Sequence, residues 1–102
     1  MKESKAPSIV GGARVLRSAR VSRLAGAHTG NTRHVVAGEH MGAFPNLAIA
    51  QYDDEPGFYL FYCDESWKVV TDTWHETAAG AESQAEFEYA GVSSIWEGGD
   101  AV

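Results

Sequence analysis

The chain has 102 residues, of which 44% are hydrophobic and 22% charged, and its formal net charge is −6. That length holds one domain with a single modest core and leaves little stability to spare for a deep catalytic cavity. No apolar run nears the ~18 residues that span a bilayer, so no membrane association is expected. The polar start from Met1 to Ser8 leads into no apolar stretch, and Cys63 is the single cysteine. Both observations point to a soluble, disulfide-free protein of the reducing cytoplasm.

Two asymmetries divide the chain. All eleven aromatic residues lie between Phe44 and Trp96. Large aromatics supply much of the area that stabilises a core, so residues 44–96 are expected to form the packed domain. Charge is split as sharply. The first 34 residues carry seven Lys or Arg against Glu3, and the remainder carries Lys68 against thirteen carboxylates. The expected organisation is a loose end over 1–13, a basic arm over 14–43, the core over 44–96 and a disordered tail over 97–102. The arm has no aromatics to stack on bases, so it is expected to fold back on the acidic body rather than to bind nucleic acid.

In chain order, Arg14 to Leu24 reads as a strand. Gly30-Asn31 is a two-residue hairpin signal, and it would pair the end of the Arg-rich stretch with Thr32 to Val36. Three further strands are predicted at Leu47 to Tyr52, Phe58 to Cys63 and Trp67 to Trp74. They are separated by Asp53-Asp54-Glu55-Pro56-Gly57 and Asp64-Glu65-Ser66, both turn-forming by composition. Such short connections favour antiparallel neighbours. In the third strand, Val70, Asp72 and Trp74 are expected on one face, with Val69, Thr71 and Thr73 on the other. Leu60, Tyr62 and Trp74 are expected in the core.

A helix is predicted from Ala78 to Ala90, with Thr77 as N-cap and Gly91 as its stop. Ala78, Ala81, Ala85, Tyr89 and Val92 form its apolar stripe at the helical period. The expected fold class is α+β: an antiparallel β-meander of three or more strands with one α-helix packed on one face.

Candidate chemistry is sparse. His28, His34 and His40 lack the compact ligand pairs that zinc sites use, so no metal and no cofactor are expected. Cys63 ends an apolar strand beside Asp64 and Glu65, whose charges raise a thiol pKa; a packed, inert cysteine is expected. Asp72, His75 and Glu76 lie within five residues at a strand-to-helix junction and could serve acid–base catalysis. The competing reading is that they satisfy the start of the helix. There is no glycine-rich phosphate loop and no G-x-S-x-G elbow.

The helix carries Glu82, Glu86 and Glu88 without any Lys or Arg between Ala78 and Ala90. Glu82 and Glu86 repel at i,i+4, so a basic group is expected nearby. Phe87 falls off the alanine stripe. Glu82, Glu86, Phe87 and Glu88 are therefore candidate partner-binding residues, together with Arg14, Arg17, Arg20 and Arg23 of the arm. The partner expected is a basic protein, or the arm itself.

Phe58 to Cys63, Trp67, the run Val70-Thr71-Asp72-Thr73-Trp74-His75-Glu76-Thr77 and the run Gln84-Ala85-Glu86-Phe87-Glu88-Tyr89 resemble a set of small bacterial proteins of unknown function. The resemblance implies a compact bacterial domain and supplies no activity. In topology and acidity alone, the chain is also similar to HicB-type antitoxins and toxin-immunity proteins. The function expected is a non-enzymatic protein-interaction module, an inhibitor in the manner of immunity proteins or antitoxins. The alternatives are a small enzyme using Asp72, His75 and Glu76, and a nucleic-acid-binding protein using the Arg-rich arm.

Overall fold

A computed structural model describes residues 6–24, 28–30, 34–36, 38–41 and 43–98, with the backbone alone at 23, 35, 36 and 39–41. The fold is α+β. Five antiparallel strands run in the order β1-β2-β5-β6-β7, and β3-β4 form a separate ribbon. The main sheet comprises β1 (Ile9–Val10), β2 (Ala13–Ala19), β5 (Asn46–Gln51), β6 (Phe58–Cys63) and β7 (Val69–His75). The ribbon is β3 (His34–Val36) with β4 (Glu39–Met41), and the single helix α1 spans Ala78–Glu88. Among the described residues, no helix is long and apolar enough to cross a membrane.

The meander β5-β6-β7 follows from the two turns that composition predicts. In the second turn, Asp64 Oδ1 accepts from the backbone N–H groups of Ser66 and Lys68, each at 2.9 Å. This local capping is the reason Asp is favoured in turns. It also holds Trp67 at φ 66°, a left-handed conformation that a bulky side chain adopts only when its surroundings compensate. Burial of the Trp67 ring and the guanidinium of Arg20, 5.5 Å above it, supply that compensation.

The N-terminal region departs from the expected arm. Arg14 to Ala19 is an inner strand: β2 pairs with β5 from Arg14↔Gln51 to Ala19↔Leu47, while β1 pairs with its other side. The strand expected from Arg14 to Leu24 thus ends at Ala19, beyond which Val21–Arg23 form a 3₁₀ turn, and its hairpin partner is not Thr32 to Val36. That later segment pairs with β4 instead, through His34↔Met41 and Val36↔Glu39; Asn31 of the expected turn lies outside the described residues. Pairing with β5 wins because it carries Ala19 into the core on one face of the sheet and Ala13 into the core on the other. Val10 and Ala13, inside the expected loose end, are buried, and so is Ala19. At the other terminus, Glu97 forms an antiparallel bridge with Ser18.

The sheet carries a core on each face. On the helix side, Leu47, Ile49, Leu60 and Tyr62 meet Ala81 and Ala85. The alanines keep the helix close to the sheet. On the opposite side, Ala48, Phe61 and Cys63 are covered by Val10, Ala13 and Trp67. This second cover explains a reversal at Trp74, which is 52% exposed rather than buried. The N-terminal segment and Trp67 shelter only part of that face. A bulge where Tyr62↔Thr71 gives way to Cys63↔Val69 leaves Val70 out of register. Val70 consequently packs into the helix-side core, and the alternation that would place it with Asp72 and Trp74 is broken.

Candidate functional site: a buried carboxylate cluster and an exposed aromatic face

The helix starts where Thr77 accepts a hydrogen bond from Gly80 N–H at 3.0 Å. Its far end is finished by other parts of the chain. Thr29 N–H donates to the Glu88 carbonyl at 2.9 Å, and Thr29 Oγ1 donates to the Phe87 carbonyl at 2.8 Å. These bonds satisfy the last carbonyls, which a helix cannot satisfy by itself. Glu86 folds over the following turn, accepting from Gly91 N–H at 2.7 Å and Ser93 N–H at 3.1 Å. Those two backbone donors hold its carboxyl below the ordinary range.

Glu88 is the least expected residue in the molecule. It is 2% exposed, and three donors converge on its carboxylate. His34 Nε2 lies 2.7 Å from Oε1, Gln84 Nε2 donates to Oε2 at 2.7 Å, and Tyr62 OH also donates to Oε2. A buried charge is tolerable only with such pairing. Burial first, and then the bond to Glu88 and its charge, push the Tyr62 phenol far above its ordinary value. The His34 ring lies tilted, 4.2 Å from the Tyr62 ring, and meets Phe44 edge-on at 5.5 Å. The cluster therefore ties β3, β6 and α1 together. Glu88 is not a surface residue, because it lies on the buried side of the helix with Ala81 and Ala85.

Sequence-predicted site residues separate accordingly. Arg17 Nε pairs with Glu82 at 3.3 Å and Arg14 with Asp53 at 3.0 Å. The basic group sought for the helix is thus Arg17, delivered by β2. Arg20 lies over Trp67, and the side chain of Arg23 lies outside the described residues. Phe87 is 53% exposed.

The set Asp72, His75 and Glu76 is not brought together. Strand alternation sends Thr73 and His75 toward the helix face and Asp72 and Trp74 to the other. His75 Nε2 is engaged with Thr73 Oγ1 at 2.8 Å, and burial lowers its pKa, with the Glu88 charge acting in opposition. Cys63 is buried, and burial together with the Asp64 charge pushes its thiol up to about 12. Among the described residues, no group of three or more His, Cys, Asp or Glu is placed to hold a metal ion. A cleft of about 350 Å³ between the first 3₁₀ turn and the helix end is lined by Val21, Leu24, His28, Phe44 and Tyr89. Among its polar groups, the Tyr89 hydroxyl accepts from Phe44 N–H at 2.8 Å.

The sheet face away from the helix presents different chemistry. Tyr59 and Trp74 are directly opposed across β6 and β7. The ring of Tyr52 meets Tyr59 at 5.4 Å, and Tyr59 OH donates to Glu55 Oε1 at 3.1 Å. That bond, with the nearby charges of Glu55 and Asp72, raises the Tyr59 phenol. The Trp74 indole lies against Gly57 so closely that a Cβ there would overlap its ring at Nε1, Cε2 and Cζ2. Glycine at 57 therefore lets the indole approach the backbone closely while half of the side chain stays exposed. Asp53, Asp54, Glu55 and Asp72 are exposed around this patch.

Comparisons of the chain with protein-family models, with curated proteins and with solved structures find no match.

Proposed function

We propose that the chain is a non-enzymatic protein-interaction module that binds a basic partner, acting as an inhibitor in the manner of immunity proteins or antitoxins, in a reducing compartment. The observation that carries this reading is Trp74, half exposed on an ordered sheet face, seated on Gly57 and bordered by Asp72 and Glu55. Tryptophan is the residue type most enriched at the energetic centres of interfaces. Surrounding carboxylates select a cationic counterpart and speed its approach. An aromatic face also attracts Arg or Lys directly.

Two observations weigh against the alternatives. Asp72 and His75 project from opposite faces of β7, so they form no acid–base pair. Arg14, Arg17 and Arg20 are each engaged with Asp53, Glu82 or Trp67, which leaves the arm poorly disposed toward phosphates.

The test is comparative affinity capture from the native host with wild-type protein, Trp74→Ala and Phe87→Ala. A basic protein retained by wild-type and Phe87→Ala, but lost from Trp74→Ala, is the expected result. Equal recovery by wild-type and Trp74→Ala would place the interface elsewhere.

A further inference from the structure

The two edges of the main sheet are unlike. The outer side of β2 is closed toward both of its ends. Val15 N–H donates to Ser8 O at 2.9 Å, Ile9 and Val10 pair with Arg14 and Ala13, and Ser18 exchanges hydrogen bonds of 3.0 and 2.8 Å with Glu97. The opposite edge is β7, seven residues long. Among the described residues, no strand pairs with its outer side. Val69–His75 contains no Pro, Lys or Gly, so its protection against pairing is confined to the bulge at Val70 and the charge of Asp72. An edge of this kind presents a row of backbone donors and acceptors at every second residue.

Resting on the reading of the Trp74 face as the interface, we propose that the partner contributes an extended segment that adds to β7 as a sixth strand, with an Arg or Lys directly opposite Asp72. Three features converge on that occupant. Backbone pairing would align the added strand's alternate side chains with Asp72 and Trp74, on the face where both are exposed. Asp72 is the central residue of the strand. A second copy pairing antiparallel about that centre would oppose Asp72 with Asp72, and like charges directly opposite are destabilising; two chains of net charge −6 also repel. A cation in that position instead meets Asp72 across the strands and reaches the Trp74 ring on the diagonal. The backbone ladder supplies affinity and these two side chains supply selection.

The experiment uses the full chain and synthetic seven-residue peptides of alternating threonine and valine with a central arginine, a central glutamate, or the central arginine with alternate amides N-methylated. Amide exchange across 69–75 is read with and without peptide. The expected result is that every second amide of β7 exchanges rapidly in the free protein and is protected by the arginine peptide. The glutamate peptide binds at least tenfold more weakly, and N-methylation of the pairing edge removes binding. Asp72→Lys is expected to reverse the preference between arginine and glutamate.

Slow exchange of all β7 amides in the free protein would overturn the proposal, because the edge would already be occupied. So would failure of the arginine peptide to bind at millimolar concentration, or equal binding of the N-methylated peptide. Loss of the captured partner in Trp74→Ala alongside any of these failures would retain the Trp74 interface and reject only strand addition.

Discussion

Glu88 and His34 are 54 residues apart in sequence, and their carboxylate and imidazole meet at 2.7 Å inside the protein. The contact joins the last turn of α1 to the β3–β4 ribbon, which has no place in the main sheet. Since Tyr62 is hydrogen-bonded to the same carboxylate, one charged group fixes three elements.

Removing that group should be costly. Glu88→Ala leaves buried donors on His34 and Tyr62 without the carboxylate they bond. Breaking a buried charged network in this way costs about 3–5 kcal/mol. Tyr62→Phe removes one charge-assisted bond and should cost about 1.5–3 kcal/mol. Urea unfolding of the three proteins checks the order, with wild-type most stable and Glu88→Ala least.

Acid should weaken the fold in two steps. The folded-state pKa of His75 is lowered from the ordinary 6.5, chiefly by burial. Its contribution is therefore complete above that ordinary value and is lost as pH falls through the lower, folded one. Glu86 is lowered from 4.5 by the Gly91 and Ser93 donors, and its contribution is lost at more acidic pH by the same logic. Urea midpoints measured from about pH 7.5 to about pH 3.5 should fall monotonically. His75→Asn should flatten the upper part of that decline, and Glu86→Gln the lower part.

Trp74 and Leu60 should respond oppositely to truncation. Leu60 is fully buried, and Leu60→Ala should cost about 2–5 kcal/mol. Trp74→Ala removes a half-exposed side chain and should change stability by less than about 1 kcal/mol. Gly57→Ala should lift the indole from its seat, because its Cβ would overlap the ring. Tryptophan fluorescence should report the change, red-shifting in Gly57→Ala as Trp74 moves into solvent.

A fragment limited to residues 44–96 should fail to fold. It lacks β2, which pairs along β5, and it lacks Val10 and Ala13, which cover Phe61 and Cys63. Circular dichroism and heteronuclear NMR of the fragment should show an unstructured chain.

The meander and the helix were legible because each is written in a short window. The Phe58 to Cys63 run, the Asp-rich turns, Thr77 and the alanine stripe all act locally. The place of β2 was not legible, because Arg17 occupies a half-buried position that burial alone would give to an apolar residue and Arg14 adds an exposed charge. Arg17 is accommodated on the helix side by Glu82, a partner that no local pattern reveals. Glu88 had a signal that charge obscured. It follows Ala78, Ala81 and Ala85 at helical spacing, so it falls on the buried stripe. Trp74 was misplaced because its size suggests a core, while the bulge at Val70 and the partial cover on the far face lie beyond any window of sequence.

The bridge between Ser18 and Glu97 has a consequence for synthesis. The outer side of β2 is sealed at Ser18 by a residue synthesised long after it. While the chain is being translated, β2 can pair with β1 alone until β5 emerges, and its outer side at Ser18 stays open until Glu97 has left the ribosome. The sheet thus closes after elongation has passed nearly the whole described chain, and contacts so distant in sequence make that closure slow. During the interval, the arginines of β2 give the nascent strand a charge that discourages pairing with a neighbouring copy, so the residues that disguise it as an arm also protect it before its partners exist.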